Sequence, residues 1–331
     1  MKKFLLLIMG FLTIISLSAC QQELEHDIFV TVYPLQYITE QMLEGTEYTV
    51  GIVPGVISHE SSVDWSPKEI IAMTQAKYLF YIGANYDYYI DHQIDSIFKN
   101  KAVELIKIED ATSYIEFIPG ALHVHDHDDD HDDDHDEHDE HNDDIHTLGI
   151  DPHFWISPLK VLEVSALIYD KLIAAYPDDS DAITTNYNNL TNSLQQLTDD
   201  FQASINKLTK PVMTSTNLYG YLKHDYGLQF IPISPGYHEE SDQFTSAEKK
   251  EIVDEAIYHE IRYIIYERNT TSPLSNAVLD ELNLLGQTAQ KVEFDILQSL
   301  TIKEITEGKN YINIMYENLE LIKTAGEYQG E

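Results

Sequence analysis

Two histidines of this chain stand where a fold could bring them together around a metal ion. His59 follows a run of β-branched and aromatic residues and the turn Pro54-Gly55, and His153 lies in Asp151-Pro152-His153, shortly before the pair Ser157-Pro158. Neutral imidazole nitrogen is a good ligand for zinc and similar divalent ions. Taken alone, each histidine is more simply explained as an ordinary loop residue, so the pair points to metal only if the fold brings both residues to one place.

A third group of possible ligands lies in segment 123–146, where histidines alternate with carboxylates. Such low-complexity tracts bind metals, and this one is too polar to be buried in a core. We interpret it as an accessory metal-binding loop on the rim of a cleft, which favours Zn²⁺ because Mn²⁺ prefers oxygen ligands. The alternative is a solvated spacer without a role in binding. The histidines of the segment are His123, His125, His127, His131, His135, His138, His141 and His146.

The composition narrows the classes of ligand. The formal net charge is −37, which argues against nucleic-acid binding because phosphate contacts need clusters of Lys and Arg. A cationic ligand suits such a surface better. Cys20 is the only cysteine, so the chain cannot form an internal disulfide, and any metal site must be built from nitrogen and oxygen ligands.

The amino terminus has the features of a secretion signal. Lys2 and Lys3 precede an apolar run over 4–17, which is short for a membrane span and typical of a signal peptide. The run ends in Leu17-Ser18-Ala19-Cys20, which resembles the lipobox at which bacterial lipoproteins are lipidated and cleaved. We therefore expect a signal peptide over 1–19 and a lipid-tethered linker over 20–27, placing the protein on the extracytoplasmic face of the cell membrane. The alternative is an ordinary signal with an incidental cysteine.

The elements that must position these residues follow an alternating pattern of strands and helices. This pattern predicts an α/β fold of two (β/α) lobes with parallel sheets, and a long amphipathic helix over 181–208 joins them. We expect an N-terminal lobe over 28–178, a linker helix over 179–209 and a C-terminal lobe over 210–331. Ligands of open α/β sheets bind beyond the carboxyl ends of the strands, here in the cleft between the lobes. The predicted strands cover 28–33, 48–53, 78–82, 103–108, 212–215, 229–233, 262–266 and 291–294.

Several short motifs follow one another along the chain: Tyr33-Pro34, Pro54-Gly55 with His59 and Ser66-Pro67, the histidine-rich insert, the run from Asp151 to Pro158, Gly220-Tyr221-Leu222 and Tyr226-Gly227-Leu228. In this order they resemble one family, the zinc/manganese solute-binding proteins of bacterial ABC importers. That resemblance implies two lobes joined by a rigid helix, with a single metal in the interlobe cleft.

The resemblance also implies a ligand set. His59 and His153 are the ligands from the first lobe, and Asp295, just after the last predicted strand, matches an acidic ligand from the second. At the position where the family usually has its third histidine ligand, this chain has Thr216, whose hydroxyl is a poor zinc ligand. We therefore expect His238, in a nearby acidic loop, to take that role. Further candidates are Thr216 itself, Glu240, Asp242 and, because the loop after His59 is longer than usual, Glu60.

The function implied by the resemblance is high-affinity capture of Zn²⁺ outside the cytoplasm and its delivery to an ABC permease with its ATPase, by a monomer that is not an enzyme. One alternative is a manganese or iron importer component of the same fold, with Mn²⁺ in the site. Another is a surface adhesin stabilised by its metal. A zinc hydrolase is disfavoured because the chain has no HExxH motif.

Overall fold

The computed structural model describes residues 25–55, 63–110, 112–116, 149–237 and 245–330. Within these ranges the strands form two four-stranded sheets. The first sheet contains β1 (Ile28–Val30), β2 (Val50–Ile52), β3 (Tyr78–Tyr81) and β4 (Glu104–Lys107), and the second contains β5 (Val212–Thr214), β6 (Phe230–Pro232), β7 (Tyr263–Glu267) and β8 (Gln290–Phe294).

Both sheets are parallel and have the same topology. The strand order is β2-β1-β3-β4 in the first sheet and β6-β5-β7-β8 in the second. In each sheet the winding direction reverses between the two central strands, β1 and β3 or β5 and β7, and this reversal opens a crevice at their carboxyl ends. The prediction of an α/β fold with two lobes of parallel sheet is thereby confirmed.

Helices cover the sheets and connect the two halves. Several helices begin at capping residues. For example, Ser66 and Glu69 form a capping box, and Pro67 is the first residue of its helix. The helices among the described residues are α1 (Tyr33–Met42), α2 (Pro67–Gln75), α3 (Tyr88–Asp91), α4 (Pro158–Ala175), α5 (Ser180–Ile205), α6 (Gly220–Tyr226), α7 (Ser246–Tyr258), α8 (Pro273–Leu284), α9 (Ile302–Thr306) and α10 (Tyr311–Ala325). None of them is long and apolar enough to cross a membrane.

The long helix α5 joins the halves through a shared core. One continuous cluster of buried apolar side chains includes Ile28 from the first sheet, Leu194 and Phe201 from α5, and Val212 from the second sheet. Two smaller clusters fill the other faces of the sheets. Because the same core supports both halves, the strand ends that face each other are held by packing as well as by the connecting chain.

The structure shifts some predicted boundaries. The strand predicted over 28–33 ends at Val30, because Pro34 favours a helix start and α1 begins at Tyr33. The helix α10 was not predicted, although Asn310 forms a capping box and buried apolar residues recur at helical spacing from Tyr311 to Ile322.

Candidate metal centre

Three of the predicted ligands lie in the described part of the chain, namely His153, Thr216 and Asp295. The others lie outside it, so their placement stays a prediction. They are His59, Glu60, His238, Glu240, Asp242 and the histidines of segment 123–146, and Cys20 also lies outside the described residues.

His153 is buried, and a neighbouring carboxylate holds its ring. Its Nδ1 lies 2.9 Å from Oδ1 of Asp151, and the same oxygen accepts a hydrogen bond of 2.9 Å from the backbone N–H of His153. Both side chains are almost fully excluded from solvent. A hydrogen bond from Nδ1–H to a carboxylate fixes the tautomer and the ring orientation, so Nε2 is the atom that would bind a metal.

Residues from the second half of the chain also contact Asp151 and His153. The hydroxyl of Tyr221 donates to the carbonyl of Asp151 at 2.8 Å, and the ring of Tyr237 packs 4.6 Å from the ring of His153. Burial, together with the Asp151 carboxylate, raises the pKa of Tyr237 far above its usual value, so its hydroxyl stays protonated. Gly220 permits this approach, because a Cβ there would lie 3.1 Å from Oδ2 of Asp151.

The loop after β3 also packs against His153. Asp87, fully buried, accepts hydrogen bonds from the backbone N–H groups of Ile82 and Gly83 and from the hydroxyl of Tyr89. Burial raises the pKa of Asp87 to about 7. The loop so held presents Tyr86, whose ring meets the ring of His153 edge-on with the centroids 6.0 Å apart.

Asp295 follows β8 and begins a tight loop. Its backbone N–H donates to Oδ1 of Asn318 at 3.0 Å, and its own Oδ1 accepts from the backbone N–H of Leu297 at 2.9 Å. Its other oxygen, Oδ2, accepts a hydrogen bond from Arg268, which also donates to Glu304. Hydrogen bonding from Arg268 lowers the pKa of Glu304 to about 2. The guanidinium lies between the carboxyl groups of Asp295 and Glu304.

The loop that carries Asp295 contacts the segment that carries His153. Trp155 donates its indole N–H to the carbonyl of Ile296 at 2.8 Å, and the backbone N–H of Tyr33 donates to the carbonyl of Gln298 at 3.3 Å. Thus, the segments of two predicted ligands, from opposite halves of the chain, meet at the carboxyl ends of the sheets.

Thr216, at the position of the family's usual histidine, is buried and engaged elsewhere. Its hydroxyl donates to the carboxylate of Glu267, which accepts a second hydrogen bond from Ser215 at 3.1 Å. Glu267 ends β7, beside β5, at the reversal point of the second sheet. Burial raises the pKa of Glu267, whereas the hydrogen bonds from Thr216 and Ser215 oppose that rise.

Within the described residues, no three histidine, cysteine or acidic side chains are grouped so that they could hold a metal ion. His153 and Asp295 would therefore need ligands from the segments outside those ranges. Sequence reasoning missed the supporting groups Asp151, Glu267 and Arg268. Their signal was positional, because Asp151 lies two residues from His153 and the other two follow a predicted strand.

A family profile matches residues 28–325 of the chain and is described as ZnuA, zinc-uptake complex component A, periplasmic. The match spans both sheets and the segments of His153 and Asp295. The chain therefore belongs to this family of zinc-uptake components.

Individual relatives and solved structures are also similar to this chain. The zinc-binding lipoprotein AdcA of Streptococcus pneumoniae (strain ATCC BAA-255 / R6) is 26% identical over 338 aligned positions, which cover 100% of this chain and 62% of that relative. The high-affinity zinc uptake system protein ZnuA of Bacillus subtilis (strain 168) is 23% identical, over 90% of this chain and 86% of that protein. The crystal structure of the Zn(II)-bound ZnuA-like domain of Streptococcus pneumoniae AdcA superposes with a TM-score of 0.67 at 24% identity, covering 91% of this chain and 99% of that one, which supports the fold.

Proposed function

We propose that this chain captures Zn²⁺ outside the cytoplasm and delivers it to an ABC permease and its ATPase, binding the ion as cargo and catalysing no reaction. Membership in a family of zinc-uptake components and the names of its relatives support this role. The observation that carries the proposal is the meeting of the His153 and Asp295 segments through the hydrogen bond between Trp155 and Ile296. An oriented imidazole and a carboxylate from opposite lobes are suitable partners for one zinc ion.

The remaining ligands of the proposal are His59 and His238, which lie outside the described residues. Support comes from the residues next to them in the chain. The Trp65 indole donates to the carbonyl of Pro54 at 2.8 Å and so ties the two sides of segment 56–62 together. Tyr237, which directly precedes His238, packs on the ring of His153.

The proposal includes the setting of the site. A signal over 1–19 directs export, and lipid on Cys20 anchors a monomer to the extracytoplasmic face of the membrane. The lobes cover 28–178 and 210–331, with the linker helix between them. The histidines of segment 123–146 collect zinc near the cleft without forming the main site. A lipoprotein among the relatives supports the anchor.

Zinc titration against a competing chromophoric chelator tests the ligand set. We expect His153→Ala, Asp295→Asn and His238→Ala each to weaken binding by more than the about 10–100-fold that loss of an outer partner of a ligand costs. His224→Ala is the matched control, because this exposed histidine also has an aspartate partner, Asp225, at 2.7 Å. Zinc affinity equal to that of the unmodified chain in His153→Ala would place the site elsewhere.

A further inference from the structure

Arg268 lies beside Asp295, one of the proposed ligands. The proposed role of Asp295 as a ligand does not explain why an arginine contacts it. It follows β7 directly, and its backbone N–H donates to the carbonyl of Phe294 at 2.8 Å, the residue before Asp295. The register of β7 and β8 pairs Glu267 with Phe294. Arg268 and Asp295 are therefore neighbours at the carboxyl edge of the second sheet.

The guanidinium of Arg268 is shared between two carboxylates. One of its terminal nitrogens donates to Oδ2 of Asp295 and the other to Oε1 of Glu304. The side chains of Arg268, Asp295 and Glu304 are only 33%, 15% and 17% exposed, respectively. Water screens such a partly buried group less than it screens a surface ion pair.

A divalent cation on Asp295 would have to share that carboxylate with Arg268. Oδ1 of Asp295 already accepts the backbone N–H of Leu297, and Oδ2 accepts the guanidinium. Two cations held by one carboxylate repel each other, and at separations of a few ångströms near a protein surface this repulsion is considerable. Glu304 offers the guanidinium a second anion, which reduces its demand on Asp295.

We propose that Arg268 is the affinity-determining residue of the second lobe: its guanidinium competes with the metal for the Asp295 carboxylate, and Glu304 restrains that competition. The inference rests on the proposed function, because it requires Asp295 to be a ligand. It gives the site a built-in cation that can take back Asp295 as the ion leaves, so that tight capture remains compatible with release.

Zinc affinity and the zinc dissociation rate, measured by chelator competition and chelator chase on the whole chain, test the proposal. Arg268→Gln removes the competing charge and should bind zinc about 10-fold or more tightly, mainly through slower dissociation. Arg268→Lys retains a cation and should stay closer to the unmodified chain. Arg262→Gln is the matched control, since this exposed arginine lies just before β7, at the end of the strand away from Arg268, and should leave zinc binding unchanged.

The part played by Glu304 is separable. Glu304→Gln keeps an oxygen acceptor for the cap of α9, which Glu304 forms with Thr301. With only Asp295 left as its anion, Arg268 should then compete more strongly and weaken zinc binding about 3–10-fold. In the Arg268→Gln background the same substitution should have little effect, because Glu304 acts through Arg268. A double-mutant cycle measures this coupling.

The outcomes separate the two proposals. If Asp295→Asn binds zinc like the unmodified chain, Asp295 is not a ligand and the proposed site itself is wrong. If Asp295→Asn weakens binding but folded Arg268→Gln binds zinc no more tightly, Arg268 only orients Asp295 and the competition is overturned. Tighter binding in Arg268→Gln, loss of the Glu304 effect in that background and an unaltered Arg262→Gln together support it.

Discussion

At the scale of single residues, the site that we propose depends on groups that would not touch the metal. His153 alone is a buried histidine, and the hydrogen bond to Asp151 is what selects its tautomer. Asp295 alone is a loop carboxylate, and Arg268 and Leu297 decide how its two oxygens are used. The chemistry of His153 and of Asp295 is therefore set by neighbours that the structure identifies.

Asp151→Asn should weaken zinc binding about 10–100-fold without unfolding the chain. The side-chain amide of asparagine offers a neutral acceptor oxygen in place of the carboxylate oxygen of Asp151. It should therefore bind the Nδ1–H group of His153 less strongly, and Nε2 should become a poorer electron donor to the metal. The measurement is competition with a chelator, together with a thermal melt. Asp199→Asn is the control, because Asp199 is an exposed carboxylate on α5 that accepts a hydrogen bond from Gln195. Equal affinities for Asp151→Asn and the unmodified chain would mean that Asp151 has only a structural role.

At the scale of elements, the loop after β3 shows how a buried carboxyl group shapes the backbone beside the proposed site. Gly83, Ala84 and Asn85 all have positive φ, which is unfavourable for the two residues with side chains. Asp87 holds this turn by accepting the backbone N–H groups at its start. The loop in turn positions Tyr86 against His153 and Trp155.

The raised pKa of Asp87 predicts a pH dependence of stability. Between its ordinary pKa of about 3.8 and its folded value of about 7, the folded chain binds more protons at this group than the unfolded chain does. The free energy of unfolding should therefore fall as pH rises from 4 to about 7, with a contribution from Asp87 of up to about 4 kcal/mol.

Denaturant unfolding of the chelator-treated chain at pH 5 and pH 8 measures this dependence. Asp87→Asn should remove part of the slope, whereas Asp95→Asn, which changes a side chain that is 87% exposed, should leave it unchanged. Parallel pH profiles for Asp87→Asn and the unmodified chain would contradict the prediction.

At the scale of the whole molecule, one core and one set of cross-lobe hydrogen bonds fix the relation of the two sheets. The hydroxyl of Tyr311, in α10, donates to the carbonyl of Trp155 at 2.7 Å, while the indole of Trp155 donates to Ile296. The main site we propose is confined to this junction. Segment 123–146 would add capacity around it rather than build it.

Deletion of 123–146 should therefore leave one tight zinc equivalent with an affinity changed less than about threefold, while removing weaker equivalents held by its eight histidines. Calorimetric titration with zinc, before and after deletion, counts both classes of site. A control that replaces the segment with a Gly/Ser linker of equal length separates loss of the histidines from shortening of the chain. Loss of the tight equivalent in both variants would assign the main site to the segment.

Local patterns in the sequence predicted most of the strands and helices, although they missed α10. The alternating strand and helix pattern predicted the two lobes of parallel sheet, and the helices that begin at Pro67 and Pro158 are capped by residues close by in the sequence, Ser66 with Glu69 and Ser157. These features depend on residues within a few positions of one another, so they can be read without knowing the fold. The ordered motifs added the family, and the family profile confirms it.

The tertiary structure decided which distant residues meet. Trp155 and Ile296 are 141 positions apart, Thr216 and Glu267 are 51 apart, and no periodicity relates the members of either pair. The engagement of Thr216 by Glu267 and of Asp295 by Arg268 could not be predicted, because contacts between strand ends depend on sheet order and register. The residue types that we propose for metal binding could thus be identified in the sequence, whereas tertiary packing determined which partners contact them.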